Sequence, residues 1–357
     1  MKIALIAGGL DDIPSKKFGA IEMILWNYKR DLEALGHEVV IFNTKKLHEI
    51  ATQINNDNFD FVELNYSEYV SYFSKHLRVP FCTVCHSGYI TNKAKWSIGY
   101  HSVFYDTMKS PGIICLSPEI QQLYLDAGYK GFVRVVRNGI DTEHFIQKEE
   151  GNTRAICLGR IEPRKRQAWL ARIMKDRADI DFVGPIQDDT FKAEGRTRHL
   201  GYWMKDEVYK NLSQYSCLVL LSDGEAAPLV VPEALAAGLS IVVSKSAAAN
   251  LDEQLPFITI LPDDTSDPEI IAEAINTQIK HNSMYRPDIL VYAKSYFDNK
   301  AVVADFVRVV EEFRNQNVKS NFKIPIKKLP IYLLSKCAVF VKGILREVSS
   351  KEMKCTH

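Results

Sequence analysis

Two carboxylates, Glu225 and Glu233, stand with seven residues between them in the stretch Ser222-Asp223-Gly224-Glu225-Ala226-Ala227-Pro228-Leu229-Val230-Val231-Pro232-Glu233-Ala234-Leu235-Ala236-Ala237-Gly238. The apolar run Leu218–Leu221 precedes them and predicts a buried strand. Pro228 suits the first position of a helix, because its missing N–H would be unpaired there, and Gly238 suits the position after its end. The amides of Leu229 and Val230 would then lie at a positive helix end, a place for phosphate. Two carboxylates would repel that phosphate, but they suit hydroxyl groups on either side of it, such as those of sugars. The same spacing also fits a solvated capping carboxylate followed by an exposed helical one.

A second basic constellation is Leu158-Gly159-Arg160-Ile161-Glu162-Pro163-Arg164-Lys165-Arg166, again where a strand passes into a helix. Arg160 in the loop and Lys165 on the opening turn can converge on one diphosphate, as fork donor and point charge. Arg164 and Arg166 read as an ordinary basic surface turn. His86, in Cys82-Thr83-Val84-Cys85-His86-Ser87-Gly88, falls at the carboxyl end of a buried strand, where open α/β sheets present ligand residues. A single His there also fits a structural role. Cys82 and Cys85 lie three apart along a strand and so face opposite ways, which argues against a metal site. Gly19, in Phe18-Gly19-Ala20-Ile21-Glu22, would let a ligand approach the backbone as a helix opens. No G-x-G-x-x-G follows the first strand and no G-x-x-x-x-G-K-[ST] occurs, against a dinucleotide cofactor or a P-loop. Asp179-Ile180-Asp181 opens a strand and reads as structural.

These groups need a scaffold, and the hydrophobic pattern supplies one. Short apolar runs alternate with amphipathic stretches: strands at Ile3–Ala7, Val39–Phe42, Phe61–Leu64, Phe81–Val84, Ile113–Leu116 and Val133–Val136, with helices at Ser97–Lys109 and Pro118–Ala127 among those between them. After a polar stretch around Gly151 the alternation restarts, with strands at Ala155–Leu158, Ile180–Val183, Leu218–Leu221 and Ile241–Ser244 and a helix at Arg164–Lys175. Helices at Pro268–Lys280 and Lys300–Phe313 close the body. Strands alternating with helices imply parallel sheets covered on both faces, so the expectation is α/β, with two successive doubly wound halves.

Taken together, the motifs resemble family 4 retaining glycosyltransferases of the GT-B architecture, over about residues 1–315. The specific part is Glu225 and Glu233 at their spacing, followed by Ala234-Leu235-Ala236-Ala237-Gly238. Gly159-Arg160 with Lys165, Asn138-Gly139-Ile140-Asp141-Thr142, Ser117-Pro118 and Gly36-His37-Glu38-Val39 follow in the family's order. The resemblance implies two Rossmann-like domains facing across a cleft: residues 1–148 on the acceptor side and 152–297 on the nucleotide-sugar donor side, a closing helix at 298–315 and a tail at 316–357. It implies that Arg160, Lys165 and the amides of Leu229 and Val230 hold the donor diphosphate, with Gly19 assisting. Glu233 would bind the ribose, Glu225 the transferred sugar, and Trp203 the base. His86 would complete the catalytic site from the first half. No metal or other cofactor is expected, since cationic groups aimed at the departing diphosphate stabilise its charge. The chain departs from the family in having Gly19-Ala20 for Gly-Gly, Ala226-Ala227 for Gly-rich residues, and Leu239-Ser240 where a Pro is usual.

The expected activity is sugar transfer from a nucleotide donor, with a UDP-sugar favoured, to a hydroxyl on a glycan or lipid-linked acceptor, in glycan or glycoconjugate biosynthesis. A non-hydrolysing sugar-nucleotide epimerase and a catalytically silent sugar-nucleotide-binding partner are the alternatives. Composition fits a globular chain of 357 residues, 46% hydrophobic and 25% charged with net charge +1, and gives no drive toward nucleic acid. Seven scattered Cys read as reduced thiols in a cytoplasmic protein. Charge is uneven, however. Residues 316–357 hold nine basic and two acidic side chains, so they carry +7 and leave −6 on the rest. Mixed with Ile, Leu, Val and Phe, that tail fits a segment lying on an anionic membrane face. It equally fits a helix docked on the first domain with its lysines in solvent.

Overall fold

The computed structural model describes residues 1–15, 19–316 and 322–339. In chain order the first half runs β1 (Lys2–Ile6), α1 (Ala20–Ala34), β2 (Glu38–Phe42), α2 (Leu47–Asn56), β3 (Phe61–Leu64), α3 (Val70–His76), β4 (Phe81–Val84), α4 (Ile98–Thr107), β5 (Gly112–Cys115), α5 (Pro118–Asp126) and β6 (Phe132–Val135). The second runs β7 (Ala155–Leu158), α6 (Gln167–Met174), β8 (Ile180–Val183), β9 (Thr197–His199), α7 (Lys205–Asn211), β10 (Cys217–Leu220), α8 (Val230–Ala236), β11 (Ser240–Ser244), β12 (Ile258–Leu261), α9 (Pro268–Phe297) and α10 (Asn299–Gln316).

Each half builds one six-stranded parallel sheet, ordered β2-β1-β3-β4-β5-β6 in the first and β12-β11-β10-β7-β8-β9 in the second. Strands β3, β4, β5, β7, β8, β10 and β11 are buried at every position. A strand buried on both faces needs helices on both, and the crossovers supply them. In the second sheet, strand order reverses between β7 and β10. A doubly wound sheet opens a crevice at such a point, beyond the carboxyl ends of the two strands.

The expected helix at Arg164–Lys175 is split. Pro163–Lys165 forms a 3-10 turn, Arg166 takes a left-handed conformation (φ 55°), and α6 begins only after it. The helix expected to end near Lys280 continues to Phe297 through Pro287. Packing extends it: Ile289, Ala293 and Phe297 join the second domain's core. Beside them, the buried Arg286 guanidinium donates to the carbonyls of Lys148, Ser213 and Ala237. Helix α10 then returns to the first domain, where Val302, Val303, Phe306, Val309, Val310 and Phe313 share a core with β1, α1 and β3. The Phe306 ring meets those of Tyr28 and Phe61 edge-on at 5.3 and 6.1 Å.

Part of the tail is described. Residues 329–339 are helical and dock on α4. Tyr332 and Ser335 are buried, and Ser335 Oγ accepts from the Ser102 amide at 2.7 Å. Tyr332 Oη donates to Asp106, whose carboxylate also pairs with Lys109 and Lys336. Ile326, Leu333 and Leu334 stay exposed. Residues 340–357 of the expected surface segment lie outside the described residues. Among the described residues, no helix is long and apolar enough to cross a membrane.

Candidate active site

The crevice at the switch point of the second sheet gathers the charged residues. Gly159 ends β7 with φ +137°, and Gly184 at the end of β8 crowds it so closely that a Cβ there would fall 2.1 Å from the Gly159 carbonyl oxygen. The fully buried Gln167 clips the loop between them, donating to the Gly159 carbonyl at 3.2 Å and accepting from the Glu162 amide at 3.1 Å. The 3-10 turn therefore presents Arg164 and Lys165 toward the loop that follows β10. Glu225 lies in that loop, 9% exposed.

One Glu225 carboxylate oxygen is 2.8 Å from Arg164 Nη1; the other is 3.4 Å from Lys165 Nζ and accepts from Ser222 Oγ at 3.1 Å. Burial pushes this carboxyl up, but Lys165 and Arg164 outweigh it and hold the group below its usual range. Glu225 is thus an ionised carboxylate held between two cations. Arg160, the expected fork donor, is exposed and stands outside this cluster.

Helix α8 begins at Val230, two residues later than Pro228 suggests. Pro232 falls in its first turn, where a missing N–H costs no bond. The amides of Leu229 and Val230 do lie at this end, but with seven residues the helix carries little dipole, so side chains dominate the charge of the site. Gly238 takes the left-handed turn after the helix (φ +83°), and Leu239 N–H bonds the Ala234 carbonyl at 2.9 Å. Glu233, on α8 and 9% exposed, pairs with Lys205 at the start of α7. Trp203, on the same segment, packs on the second domain's core with its ring 6.3 Å from that of Tyr215. Neither glutamate is the solvated residue its spacing also allowed.

The first domain closes the other side. His86 follows β4, and its Nε2 lies 2.9 Å from Asn65 Oδ1 at the end of β3. Burial holds the imidazole down at about 4, so it is neutral at neutral pH. Asn138, Asn92 and Asn250 donate across the boundary to the carbonyls of Ala227, Asp223 and Leu116, at 2.9, 3.1 and 2.8 Å. Ala226 packs into the first domain's core. The Glu225 loop is therefore pinned between the domains. Gly19 caps α1, and its N–H donates to Ser15 Oγ at 2.9 Å. Residues 16–18 lie outside the described residues.

Arg164, Lys205 and Asn65 are the site residues that sequence reasoning passed over. Lys205 carried a signal: a cation in a first helical turn opposes the dipole and calls for a partner. Asp179 and Asp181, read as structural, are paired with Arg154, Arg196 and Arg198. Among the described residues, no group of three or more His, Cys, Asp or Glu is placed to hold a metal ion.

Residues 152–281 match the family model described as glycosyl transferases group 1. The sequence matches no curated protein. Among solved structures, Anabaena Alr3699/HepE in complex with UDP superposes with a TM-score of 0.68 at 16% identity, over 87% of this chain and 100% of that one. Sucrose-phosphate synthase from Thermosynechococcus elongatus superposes at 0.65 and 14% identity, over 89% and 100%. A lipopolysaccharide outer core galactosyltransferase, WaaB, superposes at 0.64 and 14% identity, over 87% and 99%. With its two parallel six-stranded sheets and these neighbours, the chain has the GT-B fold, and its second domain matches the group 1 glycosyl transferases.

Proposed function

We propose that this protein is a retaining glycosyltransferase that moves a sugar from a nucleotide donor, a UDP-sugar by preference, to a hydroxyl acceptor in glycan or glycoconjugate biosynthesis. The observation that carries the reading is the ionised Glu225 held by Lys165 and Arg164 at the switch point of the second sheet, with Glu233 two turns on. The match of residues 152–281 to group 1 glycosyl transferases and the UDP in the HepE structure support it.

On this reading the donor lies against the second domain. Arg160 and Lys165, with the amides of Leu229 and Val230 and the Gly19 loop, face its diphosphate. Glu233 takes the ribose hydroxyls and Trp203 lies by the base. Glu225 binds the sugar. Negative charge grows on the departing diphosphate, and fixed cations beside it lower the barrier without a metal. The neutral His86 exchanges a hydrogen bond with a sugar hydroxyl from across the cleft, and the acceptor approaches from the first domain. Attack on the face that the diphosphate leaves retains configuration, with a phosphate oxygen taking the acceptor's proton. The lysines and exposed Ile326, Leu333 and Leu334 of the tail hold the protein against an anionic membrane, near a lipid-linked acceptor.

Calorimetric titration with UDP and UMP tests the placement. Lys165→Ala and Arg160→Ala should weaken UDP by about tenfold each, the loss of one charge-assisted contact, and UMP by much less. Equal losses for both ligands would mean that neither side chain reaches the outer phosphate.

A further inference from the structure

The two domains meet at a pair of glycines. A Cβ on Gly224 would lie 3.2 Å from the Gly88 carbonyl oxygen and 2.8 Å from the Tyr89 ring; one on Gly88 would lie 3.6 Å from the Gly224 carbonyl oxygen. Neither glycine has a left-handed backbone, so it is space and not conformation that each provides. Arg164 fills that space. Its Nη1 donates to the Gly224 carbonyl at 2.6 Å and lies 2.8 Å from Glu225, while its Nη2 donates to Glu162 at 2.6 Å. Nη1 would also lie 3.0 Å from a Cβ on Gly88, and the guanidinium sits 5.8 Å from the centre of the Tyr89 ring. The backbone of Arg164 is tied to the same loop, its carbonyl accepting from the Asp223 amide at 2.9 Å.

A guanidinium is a rigid planar fork, so it fixes the direction of the carboxylate it pairs with, as an ammonium does not. Here one fork touches the Glu225 carboxylate, the backbone of the Glu225 loop and the turn of the opposite domain. We infer that Arg164 is a positioning residue for transfer: it aims the Glu225 carboxylate and ties that aim to closure of the Gly88–Tyr89 turn onto the Glu225 loop. When the domains part, Arg164 loses its seat against Gly88 and Tyr89, and Glu225 loses its fixed direction. This rests on the reading of Glu225 as the donor-sugar carboxylate. It adds a coupling between site and domain closure, through a side chain other than the diphosphate-facing Arg160 and Lys165.

UDP release from UDP-glucose, followed against concentration and pH in the full chain, tests the inference. Arg164→Ala should lower kcat about 100-fold, the scale of a misaimed group, and leave KM within about threefold. The groups acting on Glu225 are Lys165 and Arg164 from the turn after β7 and the Ser222 hydroxyl from its own loop, while Arg164 itself also pairs with Glu162 and lies by the Tyr89 ring of the first domain. Lys165 remains in the variant, so the acid limb of kcat should rise by about one unit as one of two cations is lost. Arg164→Lys should restore the limb but only part of kcat. A double-mutant cycle of Arg164→Ala with Tyr89→Ala should give non-additive losses in Tm. If Glu225→Ala is inactive but Arg164→Ala keeps the wild-type kcat and acid limb, or if the Tm losses add, this inference fails alone. If Glu225→Ala keeps full turnover, or the wild-type chain releases no UDP, the donor reading fails and takes the inference with it.

Discussion

Lys205, the first residue of α7, pairs with the carboxylate of Glu233 on α8, and its Nζ lies 4.9 Å from the centre of the Tyr209 ring. Burial alone would lower the ammonium's pKa, but Glu233 and Tyr209 outweigh it and raise the value. The ion pair fixes the Glu233 carboxylate, which on the proposed reading faces the ribose. Lys205→Ala should therefore weaken UDP about tenfold by leaving Glu233 uncompensated and free to turn. Calorimetry on the variant checks this, and unchanged UDP affinity would place the nucleoside away from Glu233.

His86 titrates far below an ordinary histidine because its ring is buried. Its folded pKa is depressed, so it favours the native state fully above about pH 6.5 and loses that contribution as pH falls toward about 4. The loss attributable to His86 is on the order of 2–3 kcal/mol, and His86→Gln should remove that part of the acid sensitivity. An NMR titration of the His86 ring should find its midpoint near 4. A midpoint near about 6.5 would mean that the ring is hydrated and charged in the acid range.

The tail presents an outward face of Lys327, Lys328, Leu333 and Leu334 while Tyr332 and Ser335 anchor it to α4. At about 1 kcal/mol per basic residue near an anionic surface, reversing two charges should cut vesicle binding by well over tenfold. Full-length protein should sediment with phosphatidylserine-containing vesicles at low salt and be released by salt, and Lys327→Glu with Lys328→Glu should stay in the supernatant. The anchoring residues are untouched, so Tm should hold. If the wild-type protein also stays in the supernatant, the tail serves only to cover the first domain.

Both sheets were legible because their strands are short buried runs. Val39–Phe42 and Ile241–Ser244 announce themselves, and they pair in parallel with β1 and β10 respectively. The two edge strands of the second sheet were not: β9, Thr197-Arg198-His199, is polar, and β12, Ile258–Leu261, is only half-buried at its middle positions. The far half of α9 was hidden by Pro287 and by Arg286, a charged residue that the fold buries among carbonyls. Glu225, Glu233 and Lys165 were singled out from spacing and charge, and the structure pairs Glu225 with Lys165. Arg164 was passed over because it sits in a run of basic residues whose local pattern matches a solvated turn. Its partners, Glu225 and the Gly224 carbonyl in the loop after β10 and the Gly88–Tyr89 turn of the opposing domain, are distant in sequence and meet it only in the fold. The tail's amphipathic pattern suits a lipid face and a protein face alike, so docking on α4 needed the three-dimensional contacts.

The most direct test of the account is donor turnover by wild-type protein and by Glu225→Gln, beside their affinities for UDP. The account predicts that wild-type protein transfers sugar from a UDP-sugar in EDTA. It predicts that Glu225→Gln loses about 100-fold or more in kcat, as when a preorganised charged group is removed, while UDP affinity stays within about threefold. Full transfer by Glu225→Gln, or a loss of UDP binding that matches the loss of turnover, would contradict the placement of the sugar at Glu225.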